Sequence, residues 1–299
     1  MSGHTHGHTE EKTGNKLAIT IFLNIGITIA QVIGGLVSGS LALISDALHN
    51  LSDALAVVLA WVAHYLSGKP RTGRSSFGLQ RAEILAAFIN AMVLMALSGY
   101  LVIEAIRRFV HPETVDPQWM FWLGLLGMVA NGVSVMILHG GRKQNINMKA
   151  AYLHLLGDTL TSAAVVAGAA AIHFLGWHWV DPLVTLVISI YLAVHTWSIL
   201  RESVEILMQM SPAGLDPEKV SDAISGVEGV NSVHHIHIWK LNDARIHFEA
   251  HVVLPGDLMV SSTAEIHHRV KALLKKDFDI SHVTLQFEYK NRTETDCNC

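Results

Sequence analysis

Two pairs of histidine and aspartate stand at the same spacing in two apolar stretches of the chain. His49 and Asp53 are four residues apart, and His154 and Asp158 repeat the pattern. Four residues make about one helical turn, so each pair shares a helix face. An aspartate at the bilayer centre costs about 2.5–3.5 kcal/mol even on lenient insertion scales. Both aspartates therefore need a compensating partner, and no Lys or Arg is available at that depth.

A divalent cation would be such a partner. If the two helices pack face to face, they present two imidazoles and two carboxylates, which form a tetrahedral shell suited to Zn²⁺. Calcium and magnesium prefer oxygen shells with more ligands. Cadmium, cobalt, nickel and iron(II) stay open, because affinity alone does not separate the late divalent ions. One pair alone would be equally well explained by hydrogen-bonded packing, but two copies on nearly uncharged stretches favour a metal.

Asp46 lies three residues before His49 and complicates this assignment. It could be a metal ligand, a carboxylate on the entry path, or an acceptor for an imidazole N–H. A supporting role is favoured because the second pair has no equivalent residue. Four amides either line the same polar interior or hold helices together by hydrogen bonds: Asn24, Gln31, Asn90 and Asn131.

The composition indicates that these residues lie in membrane helices. The chain is 51% hydrophobic and 15% charged, with a mean hydropathy of +0.37, whereas soluble domains carry about 25% charged residues. A helix needs about 20 apolar residues to cross the bilayer core. The nearly uncharged stretches predict six transmembrane helices, at 17–38, 41–66, 82–108, 118–140, 149–175 and 182–203.

Short loops rich in Lys and Arg stay on the cytoplasmic side of a membrane. Only Arg107 and Arg108 fall on one side of the predicted bundle, and the other side carries Lys12, Lys16, Lys69, Arg71, Arg74, Arg81, Arg142, Lys143 and Lys149. Both termini are therefore expected in the cytoplasm. No cleavable signal is expected, because the polar start runs straight into a full-length span.

The composition changes to that of a soluble domain after Glu205. Asp216 followed by Pro217 predicts a helix start. Strands are expected at 232–240 and 245–254, a second helix at 260–276 and a last strand at 282–289. The order αββαβ indicates a ferredoxin-like domain. The predicted organisation is a His-containing cytoplasmic arm (1–16), a six-helix transmembrane domain (17–205), the cytoplasmic ferredoxin-like domain (206–290) and a Cys-containing tail (291–299).

These motifs resemble the cation diffusion facilitator family over nearly the whole chain. The similarity rests on SDALHNLSD from Ser45 to Asp53, on Ser76-Phe77-Gly78, on Arg81-Ala82-Glu83 and on HLLGD from His154 to Asp158. The paired His-x-x-x-Asp is similar to the zinc-transporting branch, close to the bacterial zinc efflux proteins. The resemblance implies a homodimer in the inner membrane that exchanges cytoplasmic Zn²⁺ for protons by alternating access.

The resemblance assigns the transport site to His49, Asp53, His154 and Asp158. Some family members hold another metal in the loop between the second and third helices, using Asp and His. Residues 68–80 contain no His, Asp or Glu, so this loop site is predicted to be absent.

Histidines are also frequent in the C-terminal domain. Strand alternation puts His235, His237, Glu249 and His251 on the open face of the sheet. The resemblance instead matches His234, His251 and Glu288 to a cytoplasmic zinc site. Alternation places His234 on the core side unless it lies at a strand end or a bulge. Any one of these histidines is as readily a surface residue without a metal.

Both termini contain further potential ligands. His4, His6 and His8 alternate near the start, and Cys297 and Cys299 end the chain. In a reducing compartment the cysteines are expected to be thiols. The resemblance suggests that both termini capture zinc, with disorder without function as the alternative.

Two other functions fit parts of the sequence. Asp53 and Asp158 could form an intramembrane aspartyl protease dyad, but that leaves both histidines unexplained, and no Gly-x-Gly-Asp-like sequence surrounds either aspartate. The other function is that of a metal sensor that does not transport. Four potential ligands buried in the membrane favour transport over sensing. The expected partners are zinc ions, protons, membrane lipid and a second copy of the chain, without nucleic acid or enzymatic activity.

Overall fold

The computed structural model describes residues 25–139 and 146–289, apart from the side chains of residues 138 and 146–151. It divides into two compact units, each described by itself below. The first comprises the described residues up to Leu59 together with Ile89–Ile199. The second comprises Ala60–Phe88 and the described residues from Leu200 onward.

Six apolar helices precede the C-terminal sheet. They are α1 (Ile25–Ser38), α2 (Leu41–Ser67), α3 (Ala82–Val110), α4 (Pro117–His139), α5 (Ile146–Leu175) and α6 (Val180–Leu207). Helices α2 to α6 are long and apolar enough to cross a membrane, which confirms the helical membrane architecture. Helix α1 is described only from Ile25, so its predicted start at residue 17 and the arm before it lie outside the described residues.

The surfaces of these helices fit a lipid environment. Met136 and Ile137 on α4 are 77% and 76% exposed, and Val194 on α6 is 70% exposed. Apolar exposure on this scale is rare in soluble monomers, and a bilayer would cover it.

A buried carboxylate caps the start of α2. Asp181 at the start of α6 is 0% exposed. It accepts hydrogen bonds from the Ser40 hydroxyl and from the backbone N–H groups of the first two residues of α2. Arg108 near the end of α3 lies 4.0 Å from the Asp181 carboxylate and donates to the Gly39 carbonyl. The carboxylate therefore satisfies N–H groups that no helical carbonyl can reach.

The C-terminal domain follows the predicted αββαβ order. Its elements are α7 (Pro217–Ser225), β1 (Ser232–Asn242), β2 (Arg245–Leu254), α8 (Val260–Phe278) and β3 (His282–Tyr289). The sheet order is β1-β2-β3, with β1 antiparallel to β2 and β2 parallel to β3. Asp216 caps α7 by accepting a hydrogen bond of 3.0 Å from the Glu218 N–H.

One face of this sheet packs against the two short helices. Alternate residues of β2, Phe248, Ala250, Val252 and Leu254, are buried with Val220 and Ile224 of α7 and Ile266, Val270 and Leu274 of α8. The period of two along the strand therefore leaves the intervening polar residues on the other face, which we call the open face.

A bulge interrupts β1 at its histidines. His234 pairs with His251 and His237 pairs with Glu249, so two residues of β1 oppose one residue of β2. His235 lies in the bulge with a φ of 53°. The strict alternation that puts His234 on the core side is therefore wrong, because the extra residue shifts the phase of the strand. His234 instead faces the same side as His251.

Candidate metal centres

Helices α2 and α5 bring the two His–Asp pairs into one cluster. His49 Nε2 lies 2.9 Å from an Asp158 oxygen and 3.6 Å from an Asp53 oxygen. His154 Nε2 lies 3.4 Å from an Asp53 oxygen and 3.7 Å from an Asp158 oxygen. Each histidine thus contacts the aspartate of its own helix and that of the other helix. We call these four residues the intramembrane quartet.

The donor separations in the quartet match a small metal ion. Ligand atoms of His49, Asp53 and Asp158 all lie within 4.8 Å of one another. Donors on one tetrahedral zinc, at about 2.0–2.2 Å from the ion, are separated by about 3.3–3.6 Å. His154 lies beside this group, with its Nε2 within 3.7 Å of both aspartates and its ring centroid 6.0 Å from that of His49.

The quartet has a closed side and an open side. The side chains of His49 and Asp158 are 5% and 7% exposed, whereas those of Asp53 and His154 are 33% and 42% exposed. Among the described residues, the ion pairs of Asp53 and Asp158 involve only histidine. Within the described part of the chain the cluster therefore holds two carboxylates without a Lys or Arg, and Asp53 and His154 form its exposed side.

Asp46 is held by a separate set of hydrogen bonds. Its carboxylate, 1% exposed, accepts from Gln31 Nε2 on α1 at 3.2 Å. It also accepts from the hydroxyls of Thr161 at 3.0 Å and Ser162 at 2.9 Å on α5. No described imidazole donates to it, although His49 Nδ1 is buried without a hydrogen-bond partner in the described chain. These contacts fit a supporting role for Asp46.

The two hydroxyls that hold Asp46 were not expected from the sequence. Thr161 and Ser162 follow Asp158 by three and four residues, so they continue the same face of α5 by one turn. This spacing from Asp158 could have indicated that the two hydroxyls lie next to the metal cluster. Of the amides that were considered, Gln31 joins this network and also accepts from Asn50 at 3.4 Å. Asn90 accepts from Ser52 at 3.4 Å, and Asn131 is buried.

A second cluster lies on the open face of the C-terminal sheet. His234 Nε2 is 3.4 Å from Glu288 Oε2, and His251 Nδ1 is 3.0 Å from Glu288 Oε1. Ligand atoms of all three residues lie within 4.8 Å of one another. His234 lies directly before the bulge in β1, His251 lies in β2, and Glu288 lies near the end of β3. We call this trio the tail trio.

His247 occupies a different part of the open face and is 6% exposed. Its ring stacks on Trp239 at 5.4 Å between centroids and lies 4.5 Å from His282. Phe77, from the loop between α2 and α3, covers it edge-on at 5.6 Å. Burial lowers the pKa of His247, and the positive charges of His282, Arg245 and Arg81 lower it further.

The loop between α2 and α3 thus packs on the sheet within the second unit. Its Gln80 accepts hydrogen bonds from Asn242 and Arg245, each at 3.3 Å. The loop acts here as a packing element and supplies no residue to either metal cluster found among the described residues. Cys297, Cys299, His4, His6 and His8 lie outside the described residues.

Comparisons with known proteins cover both halves of the chain. The family profile of the cation efflux transmembrane domain matches residues 17–208. The profile of the cation efflux protein cytoplasmic domain matches residues 212–290. Together they extend over the elements that carry the quartet and the tail trio.

Curated relatives match over nearly their full length. The metal cation efflux system protein CzcD of Cupriavidus metallidurans is 37% identical over 289 residues, or 96% of this chain and 90% of that protein. The cadmium, cobalt and zinc/H(+)-K(+) antiporter of Bacillus subtilis is 34% identical, covering 95% and 91%. The zinc transporter ZitB of Escherichia coli is 33% identical, covering 99% and 95%.

Proposed function

The chain belongs to the cation efflux, or cation diffusion facilitator, family, and from this premise we propose that it exports Zn²⁺ across a membrane in exchange for protons. The observation that carries the proposal is the convergence of two His–Asp pairs from α2 and α5 in an apolar helical domain. The names of the relatives, which are transporters and efflux proteins, support transport over proteolysis or sensing. One relative's name also includes cadmium and cobalt, which supports these two ions as further cargo.

In this proposal the intramembrane quartet holds the ion during transit. His49 and His154 supply neutral imidazole nitrogens, and Asp53 and Asp158 supply carboxylate oxygens, a donor set suited to Zn²⁺. The two carboxylates balance the charge of the divalent ion, so the loaded site is electrically neutral. Neutrality matters because an uncompensated charge is costly among apolar helices.

Protons and zinc compete for the same four groups. Zinc binds neutral imidazole and ionised carboxylate, so each ligand must lose its proton before the metal binds. Histidine titrates near physiological pH, so a modest pH difference across the membrane changes its charge. Protonation from outside expels zinc, and deprotonation towards the cytoplasm readmits it.

The test is zinc uptake into proteoliposomes that contain the purified protein. Asp158→Ala removes a carboxylate that contacts both histidines, so we expect uptake to fall to the level of empty liposomes. The same variant loses one equivalent of bound zinc. His173→Gln is the matched control, because His173 is an exposed histidine near the end of the same helix. Normal uptake by Asp158→Ala would exclude the quartet as the transport site, and binding without uptake by the wild type would favour a sensor.

The tail trio is proposed to bind a separate, resident Zn²⁺. It offers two imidazoles and one carboxylate within 4.8 Å of one another, and water can take the fourth position of such a site. The thiols of Cys297 and Cys299 and the N-terminal histidines remain proposed sites of zinc capture.

The proposed assembly is a homodimer in the inner membrane with both termini in the cytoplasm. The distribution of Lys and Arg supports this orientation. The match of residues 212–290 to the family's cytoplasmic domain supports a cytoplasmic location of the C-terminal domain. Native mass spectrometry of the protein in detergent would give a mass of twice 32.7 kDa for a dimer. A mass of one chain at all concentrations would contradict the dimer.

A further inference from the structure

Two histidines beside the tail trio point their Nε2 atoms at each other. The Nε2 atoms of His235 and His237 are 3.2 Å apart, and the rings are nearly perpendicular, at 89°. Two imidazole nitrogens on one tetrahedral zinc, at about 2.0–2.1 Å from the ion, lie about 3.3–3.4 Å apart. The pair is therefore spaced for joint coordination of one ion.

The bulge in β1 creates this spacing. Residues two apart on a regular strand are separated by about 6.6 Å along the backbone, with parallel side chains. His235 instead has a φ of 53°, a conformation that is uncommon outside glycine, although His is among the residues enriched in it. The turned backbone directs the His235 ring towards His237, with 4.6 Å between the ring centroids.

A carboxylate lies directly across the strands from this pair. Glu249 on β2 is the register partner of His237, and the two residues line one cavity of about 560 Å³. Glu249 is exposed and makes no hydrogen bond or ion pair within the described part of the chain. Directly paired residues of neighbouring strands have Cβ atoms about 4.5–5.5 Å apart. The Glu249 carboxylate does not lie within 4.8 Å of both imidazole nitrogens in this structure, and a change of its exposed side-chain rotamer would bring it to an ion held by the histidines.

From this arrangement we propose that His235, His237 and Glu249 bind a second divalent cation on the open face, of the class of Zn²⁺ that takes imidazole and carboxylate ligands. None of the three belongs to the tail trio, whose donors are His234, His251 and Glu288. The two centres are adjacent, since the rings of His235 and His251 have centroids 4.7 Å apart. Two adjacent cations repel each other, so the second centre fills at a higher free zinc concentration than the first.

This site goes beyond the transport function, and the test counts bound metal instead of flux. The full-length protein in detergent is dialysed against buffers of fixed free Zn²⁺, and bound zinc is measured by elemental analysis. The double variant His235→Asn, His237→Gln is expected to lose one equivalent per chain. Asparagine tolerates the left-handed conformation, so the bulge is retained. The double variant His234→Gln, Glu288→Gln is expected to lose a different equivalent, and all four substitutions together lose two.

Two results would overturn the proposal. One is a loss of only a single equivalent by the variant with all four substitutions. That result would mean that the tail trio and the three residues of the proposed site together bind one ion. The other is a His235→Asn, His237→Gln variant that retains all bound zinc. His268→Asn, at an exposed position on α8, is the matched control. Circular dichroism and metal-free unfolding show whether each variant is folded, and His237→Gln alone tests the site without touching the bulge.

The zinc affinity of Glu249→Gln shows whether Glu249 binds an ion together with His235 and His237, or whether the two imidazoles only hydrogen-bond to each other. Loss of even an outer-shell partner costs about 10- to 100-fold in metal affinity, so removal of a ligand charge is expected to weaken the last equivalent at least about tenfold. Glu265→Gln, an exposed carboxylate on α8, should leave the affinity unchanged. An unchanged affinity in Glu249→Gln would remove the carboxylate from the proposed site.

Discussion

His49 is the buried imidazole of the quartet, and it contacts a carboxylate on each of two helices. Its replacement by aspartate turns a shell of two nitrogens and two oxygens into one with three carboxylates. A carboxylate can bind through both oxygens and so raise the coordination number, which suits the larger Cd²⁺ better than Zn²⁺.

For His49→Asp we therefore expect the ratio of zinc to cadmium uptake to fall about tenfold, which corresponds to about 1.4 kcal/mol of differential binding. Parallel uptake assays of the two ions in proteoliposomes measure it. His173→Asp adds the same charge at an exposed position on α5 and should keep the wild-type ratio. An unchanged ratio in His49→Asp would mean that this histidine does not set selectivity.

Asp46 is buried, and its hydrogen bonds come from uncharged donors on α1 and α5. Asp46→Asn keeps the shape but replaces one acceptor oxygen by a donor that faces hydroxyls. Hydrogen bonds to a charged group contribute about 1.5–3 kcal/mol, so we expect the free energy of unfolding to drop by about 2 kcal/mol. Zinc stoichiometry should stay unchanged.

Chemical unfolding in detergent, together with zinc counting, distinguishes support from ligation at Asp46. Ser134→Ala is the control, since Ser134 donates only to a carbonyl of its own helix and its loss should matter little. If Asp46→Asn lost one equivalent of zinc without losing stability, Asp46 would be a ligand.

At the scale of elements, the start of α2 depends on Asp181, a residue 141 positions later than Ser40. Asp181→Ala leaves the Ser40 hydroxyl and two buried N–H groups without their acceptor. The expected loss is about 2 kcal/mol in the free energy of unfolding. Asp116→Ala removes an exposed cap from α4, where water can replace the carboxylate, so its cost should be about 0.5–1 kcal/mol. Equal costs would show that burial adds nothing to this cap.

The open face of the sheet contains a histidine whose pKa is lowered by burial, His247. An unfolded histidine titrates near 6.5, so the unfolded chain takes up this proton at a higher pH than the folded domain. The stability is therefore fully present above about pH 6.5 and is lost as the pH falls below that value towards the folded pKa.

We expect the metal-free protein to unfold at a lower temperature at about pH 5.5 than at about pH 7.5. His247→Gln should reduce this difference, and His268→Gln, on the exposed side of α8, should not. Calorimetry of both variants at the two pH values measures it. A pH dependence that is the same in His247→Gln and the wild type would exclude His247 as its source.

Local patterns explain which of these features could be predicted from the sequence. The helices, the αββαβ order and the shared face of each His–Asp pair follow from charge deficits and from periods of 3.6 and 2. The bulge at His235 could not be derived, because it depends on how β1 pairs with β2. The capping of α2 by Asp181 was missed for a similar reason. Arg108 was considered only as a charge that orients the chain, and its partners lie far away in sequence.

For the whole molecule, the consequence of shared ligands is that zinc flux must follow the pH gradient. Proteoliposomes that are acidic outside and loaded with zinc at neutral pH should exchange zinc against protons, and reversal of the gradient should reverse the net zinc movement. Stopped-flow fluorescence of a zinc dye and a pH dye measures both fluxes together. Buffers free of K⁺ separate proton exchange from potassium exchange. Zinc flux at the same rate and direction under both gradients would contradict the coupling.

The hydrogen bonds around Asp46 have a consequence for the return half of the cycle. They join α1, α2 and α5 through Gln31, Thr161 and Ser162, and none of these hydrogen bonds uses a side chain of the quartet. The two helices that hold the cargo therefore stay paired after the ion has left. The four ligand groups are therefore expected to stay close together in the empty carrier, so that a carrier ready to load differs from one that has just released in the protonation of these side chains and in the side of the membrane to which they open. We therefore expect the return step to move α1, α2 and α5 as one group, at a rate that does not depend on the zinc concentration.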